Sequence, residues 1–140
     1  MRTAIDTNVI SALWSSEPLA GAISALLGEA LSQGGLVVCA PVHAELVAHP
    51  KATEHFVDEF LKGTGVTVDF ILDEDVWRES GRRFAKYAAR RRTAQGGSAR
   101  RLLADFLVGA HALLRADRLA TLDNSRYEKD FPELKIMAAP

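Results

Sequence analysis

Short apolar runs recur along this chain, and stretches of helical periodicity separate them. "RTAID" at 2–6 and "LVVCA" at 36–40 read as short buried strands, rich in small and β-branched residues. "GVTVDF" at 65–70 alternates more clearly and predicts a third strand. "RLATLD" at 118–123 and "LKIMAA" at 134–139 predict a fourth and a fifth. Between them, Leu19, Ile23, Leu26, Leu27 and Leu31 share one helical face, and Gly34 and Gly35 stop that helix. Phe56, Val57, Phe60 and Leu61 mark a further helix that ends at Gly63. Asp73 is placed to cap a long helix running through Trp77, Phe84 and Tyr87 until "QGGS" at 95–98 breaks it. Leu102 to Leu114 form the next, with Leu102, Leu103, Phe106, Leu107, Ala110, Leu113 and Leu114 as its core stripe. Strands alternating with helices of this length predict an α/β fold. The expected architecture is three-layer α/β/α, with a central, mainly parallel five-stranded sheet.

Composition adds bounds to this picture. With 140 residues, one domain over 1–140 is expected, and the core can be built without covalent staples. A hydrophobic share of 48% and a charged share of 25% exclude a disordered chain. Cys39 is the one cysteine, so no internal disulfide forms, which suits a reducing cytoplasmic setting. No apolar run approaches membrane-span length, and the polar turn at Asp6 does not read as a signal peptide. The net charge of −1 excludes nothing, but its distribution is informative. No Asp or Glu falls between Ser80 and Ala104, whereas Arg82, Arg83, Lys86, Arg90, Arg91, Arg92, Arg100 and Arg101 do. Such a stretch is either a solvated helix face, balanced by Asp73, Glu74, Asp75 and Glu79, or a phosphate-binding surface. Arg90, Arg91, Arg92, Arg100 and Arg101 are the candidates for phosphate contact.

The acids carry the chemistry. Asp6 ends the first predicted strand and Asp123 ends the fourth. In open parallel sheets, sites form beyond the carboxyl ends of the strands, so the two can meet despite their separation in sequence. Glu45 lies in "PVHAELVAH", near the same edge. Asp105 falls outside the core stripe of its helix, on the side shared with Gly109 and Ala112, where small neighbours leave room for an ion or substrate. Each acid also has a plainer reading. "DTN" caps helices well, "LDNS" makes an ordinary turn, Glu45 can be a surface residue, and Asp105 can pair with Arg101 on the helix surface. Taken together, Asp6, Glu45, Asp105 and Asp123 form a carboxylate set with no lysine among them. The natural counterion of such a set is a hard divalent cation, Mg²⁺ or Mn²⁺, which supports phosphodiester hydrolysis. His43 and His49 flank Glu45 but match no zinc spacing, and His111 lies opposite Asp105 as a structural residue. There is no P-loop and no serine-nucleophile elbow.

"DTNVISALW" at 6–14, Glu45, "RRLLADFLVGAHALLRADRLATLD" at 100–123 and "RYEKDFPELKI" at 126–136 resemble, in that order, a PIN-domain ribonuclease. More narrowly they resemble the VapC-type toxin of bacterial toxin–antitoxin pairs. The resemblance implies a metal-dependent endoribonuclease with Asp6, Glu45, Asp105 and Asp123 as its acidic residues, and Asp6, Asp105 and Asp123 on the metal. It implies that Thr121 supports the site and that Asn8 orders Asp6; Asn124, in a turn that departs from the family's pattern, is a further candidate to stand behind the acids. It also implies an RNA substrate, a cognate antitoxin protein and a homodimer. Val9, Leu13 and Trp14, or Phe56 and Phe60 further on, are candidates for the antitoxin surface, with the core as the favoured place for Phe56 and Phe60. One departure stands out: "NSRY" at 124–127 replaces a more basic or glycine-containing turn. A phosphatase of the haloacid dehalogenase type needs an acid where Asn8 stands, and a response-regulator receiver needs a paired acid after its first strand. The remaining alternative is a PIN-like scaffold that binds RNA or protein without cutting.

Overall fold

The computed structural model describes residues 1–15, 18–93 and 100–138, so the "QGGS" break lies outside the described residues. The strands are β1 (Thr3–Ile5), β2 (Leu36–Cys39), β3 (Val66–Asp69), β4 (Arg118–Thr121) and β5 (Ile136–Ala138). The helices are α1 (Thr7–Trp14), α2 (Ala20–Gln33), α3 (Ala40–Val47), α4 (Glu54–Gly63), α5 (Glu74–Thr93), α6 (Leu103–Arg115) and the single turn α7 (Ser125–Glu128). All four strand pairings are parallel, in the order β3-β2-β1-β4-β5. Helices cover both faces, giving the three-layer α/β/α fold that the alternation of patterns predicts.

The strand order matters more than the strands. From β1 the chain winds outward through β2 to β3, then returns to the other side of β1 for β4 and β5. The direction of winding reverses between β1 and β4, which is where ligands bind in doubly wound sheets. Ile5 pairs with Ala120, and the Asp6 amide donates to the Ala120 carbonyl at 2.9 Å. That register sets Asp6 level with Thr121, at the shared carboxyl edge.

Helix α6 is buried almost all round, from Phe106 to Ala112. Its core is therefore wider than a stripe, and its ends are looser, with Leu102, Leu103 and Leu114 exposed. Small residues on α6 admit Phe131 instead of a ligand: a Cβ on Gly109 would meet the Phe131 ring at 2.5 Å. The space beside Asp105 lies instead toward Asp123 and Arg126. Trp77 is 50% exposed, so α5 packs through Val76, Ser80 and Tyr87. The Asp73 side chain pairs with Arg115 at 3.2 Å, and its backbone carbonyl receives the first amides of α5. Gly65, at φ 76°, turns the chain from α4 into β3 in a conformation that favours glycine.

Candidate active site

Asp6 is built in by local chemistry first. It caps α1 in an extended conformation, and its Oδ1 accepts from the Thr7 amide at 2.8 Å. Tertiary contacts then fix its other oxygen. Oδ2 accepts from Thr121 Oγ1 at 2.9 Å and from the Tyr127 hydroxyl at 2.8 Å. Burial raises the Asp6 pKa above the ordinary carboxylate value, against the pull of the Tyr127 and Thr121 hydrogen bonds, the Arg126 charge and the Thr7 amide. Tyr127 is pushed up in turn, by burial and by the neighbouring Asp6 charge.

Thr121 is a junction. Its hydroxyl serves Asp6 and accepts from the Asp123 amide at 3.1 Å and from Asn8 Nδ2 at 3.4 Å. Asn8 Oδ1 accepts from the Leu122 amide at 3.2 Å, so Asn8 ties α1 to the segment after β4 and reaches Asp6 through Thr121. Asn124 is exposed and acts through its carbonyl, which receives the Tyr127 and Glu128 amides.

Asp123 and Asp105 converge on Arg126. Asp123 Oδ1 accepts from Ser125 Oγ at 2.8 Å and from the Arg126 amide at 3.2 Å, while Oδ2 lies 3.4 Å from Arg126 Nε. The Ser125 hydrogen bond, with the nearby Arg126 and Arg101 charges, holds its carboxyl below the usual value despite some burial. Asp105 stands in the first turn of α6, where its Oδ2 accepts from the Leu102 amide at 3.1 Å. Its Oδ1 faces Arg126 Nη1 at 3.4 Å. Partial burial works against the Arg126 charge, but Asp105, Asp6 and Asp123 together hold it firmly protonated. Glu45 stands somewhat apart. It is exposed on α3, and its Oε1 accepts from Thr7 Oγ1 at 2.7 Å, beside the start of α1.

A cavity of about 420 Å³ opens from Asp105, Asp123 and Arg126 and is lined further by Arg90, Arg91, Arg100, Arg101 and Lys129. Two of these arginines are structural. Arg90 and Arg101 converge on Asp130, whose side chain is 2% exposed. Arg101 also donates to the carbonyls of Ser125, at 3.0 Å, and Arg126. It thereby clamps the turn that carries Asp123, and is not the surface partner of Asp105. Arg100 lines the cavity and is exposed. Arg92 is exposed on the last turn of α5. Tyr127 and Arg126 carry no advance signal in the sequence beyond an aromatic and a cation soon after Asp123.

The donor set suits a hard cation, being carboxylate oxygen throughout. Among the described residues no three His, Cys, Asp or Glu side chains already stand in metal-binding array. The positive charge between Asp105 and Asp123 is the Arg126 guanidinium. Three of the four histidines are engaged elsewhere: His43 with Asp58 at 2.8 Å, His49 with Ser15 at 3.1 Å, and buried His111 with Asp69 at 2.8 Å. Cys39 is buried, and burial pushes its thiol up to about 12, which leaves it unreactive.

Apart from the basic cavity, an apolar groove of about 580 Å³ runs between α2 and α4, lined by Leu13, Leu27, Leu31 and Phe60. Val9 and Trp14 are buried and do not present a surface, whereas Phe56, expected in the core, is 41% exposed. It packs edge-on against Trp14 at 5.1 Å.

The family model for the PIN domain matches residues 3–132. No curated protein matches the sequence. Among solved structures, the chain is similar to VapBC-1 from nontypeable Haemophilus influenzae, with a TM-score of 0.64 and 22% identity, covering 99% of this chain and 98% of that one. It is similar to VapBC2 from Rickettsia felis bound to a DNA fragment from their promoter, with a TM-score of 0.68, 19% identity and both chains fully covered (100%). It is also similar to FitAcB from Neisseria gonorrhoeae, with a TM-score of 0.63 and 19% identity, covering 98% of this chain and 97% of that one. At these identities the likeness is one of fold.

Proposed function

The chain belongs to the PIN domain family, and from that membership we propose that it is a divalent-metal-dependent endoribonuclease, the toxin of a bacterial toxin–antitoxin pair. The observation that supports this reading is that Asp105 and Asp123 share Arg126 beside a basic cavity, while Asp6, at the winding reversal of the sheet, is tied to the same segment through Thr121 and Tyr127. The neighbours of similar fold include toxin–antitoxin pairs, which supports a cognate antitoxin as partner.

Mg²⁺ or Mn²⁺ would be held by Asp6, Asp105 and Asp123. When bound, such an ion supplies Lewis acidity and makes water a competent nucleophile near neutral pH. The chain's own residues do the rest. Thr121, Tyr127 and the Thr7 amide hold the Asp6 carboxylate in one orientation, so little reorganises during reaction. Arg100 and Lys129 face the cavity and bind RNA phosphates on either side of the cut. Glu45, tied to Thr7 next to Asp6, is assigned to proton transfer. Among the described residues no helix is long and apolar enough to cross a membrane. A cytoplasmic homodimer, silenced by an antitoxin seated in the apolar groove beside α2 and α4, completes the reading.

The test is cleavage of RNA by the purified chain. Mg²⁺ or Mn²⁺ should support it and EDTA should abolish it. Asp105→Asn should lower the rate at least about 100-fold, since even residues that merely orient metal ligands are worth 10–100-fold. Full activity in EDTA, or in the Asp105→Asn chain, overturns the assignment. The second reading, a scaffold that binds without cutting, is favoured by one feature: Arg126 already neutralises the acids. It stands if neither ion supports cleavage.

A further inference from the structure

We infer that Arg126 is an internal counter-ion of the acid site, occupying the place that a divalent cation must take and competing with it. The inference rests on the proposed metal-dependent reading. Three observations carry it. First, the guanidinium spans Asp105 and Asp123, at 3.4 Å from each, through two different nitrogens. These are two of the three carboxylates assigned to the metal. Second, the remaining one, Asp6, is tied to the same turn: its Oδ2 accepts from the hydroxyl of Tyr127, the residue after Arg126, and from Thr121, which also binds the Asp123 amide. Third, the array of acids that a metal needs is not preassembled among the described residues, although the donors are all at hand. Arg126 instead bridges two of them, with Nη1 on Asp105 and Nε on Asp123.

The contacts are long for charge-assisted hydrogen bonds, and the Arg126 side chain is 38% exposed. The pairing is therefore loose enough to give way. Displacement costs the ion pairs but leaves the fold intact, because the backbone of the turn is held separately. The Arg126 amide is bound by Asp123 Oδ1, and its carbonyl by Arg101. Once displaced, the guanidinium stays in the wall of the basic cavity, where an RNA phosphate is the anion it meets. Metal affinity is thus set low by the chain itself, and bound RNA raises it by drawing Arg126 away. That coupling is reciprocal, as any linkage between two ligands must be.

The experiment measures Mn²⁺ binding directly, by the loss of the free-ion paramagnetic resonance signal, with no RNA present. Arg126→Gln keeps a polar side chain of similar reach and removes the charge. It should bind Mn²⁺ about 10-fold or more tightly than the wild-type chain, the effect of removing a partly buried competing charge. Arg126→Lys should lie between the two. Thermal unfolding gives a second readout. Without metal, Arg126→Gln should melt below wild type in low salt, and Mn²⁺ should raise its melting temperature by more. Equal or weaker Mn²⁺ binding by Arg126→Gln, with binding still lost in Asp105→Asn, overturns this inference and leaves the metal-dependent reading standing. If neither wild type nor Arg126→Gln binds Mn²⁺, both fall.

Discussion

A single carboxylate shows how this site is balanced. Asp6 is buried and yet must be ionised to hold a cation, so the fold works against it. The unfolded carboxyl loses its proton near 3.8 and the folded one at higher pH, because burial disfavours the charge. As pH rises through that window the fold loses stability, and the loss persists at neutral pH. Asp6→Asn should therefore abolish cleavage while raising the melting temperature at pH 7 in metal-free buffer. The Tyr127 hydroxyl can turn to accept from the new amide. A lower melting temperature would show that the hydrogen bonds outweigh the burial. The Tyr127 hydroxyl lowers the cost of the Asp6 charge. Tyr127→Phe should then move the acid limb of the pH–rate profile to higher pH, since activity is lost as pH falls through the Asp6 pKa. Its stability should drop by only about 1 kcal/mol. An unmoved limb would separate Asp6 from the titration.

At the scale of elements, α6 and the segment after β4 form one device. Helix α6 presents Asp105 from its first turn and Gly109 from its middle, and Phe131 lies against the bare glycine. That contact fixes the 123–131 segment over α6, with Tyr127 and Arg126 between them. Gly109→Ala should force the ring aside and cost about 1–3 kcal/mol, the range for an overpacked core. Urea denaturation measures it, and a neutral or stabilising result would mean that Phe131 shifts freely. The clamp from Asp130 through Arg101 to the Ser125 and Arg126 carbonyls holds the same segment from the other side. Here the basic stretch divides by role. Its helical periodicity shows which arginines share a face, but not that a buried acid 29 positions after Arg101 would claim two of them.

For the whole molecule, the charge pattern predicts how RNA binds. Arg100 and Lys129 face the cavity, whereas Arg101 is spent on Asp130 and backbone carbonyls. Replacing Arg100 and Lys129 by Gln should weaken RNA binding and flatten its dependence on salt by about one phosphate contact each. Arg101→Gln should instead lower stability, through the loss of the clamp. If Arg101→Gln alone flattens the salt slope with no change in melting temperature, the two roles are reversed.

Much of this was legible along the chain. Strand runs that end in aspartate, and a helix that opens with one, are local patterns. Local patterns survive without knowledge of the partner, because they follow from backbone propensity and the period of apolar residues. The five strands, the parallel sheet and the edge positions of Asp6 and Asp123 were accordingly readable. Periodicity states which face of a helix is apolar, but not whether anything covers it. That is why Phe56 and Trp77 emerge exposed while Trp14 and Val9 are buried. The order that places β4 beside β1 comes from packing of the whole sheet, and only that order sets Thr121 and Tyr127 on Asp6. Likewise, the pattern of charges named the acids. Only the closing of the 123–131 segment over α6 could decide that their present counterion is Arg126, a residue of the same chain.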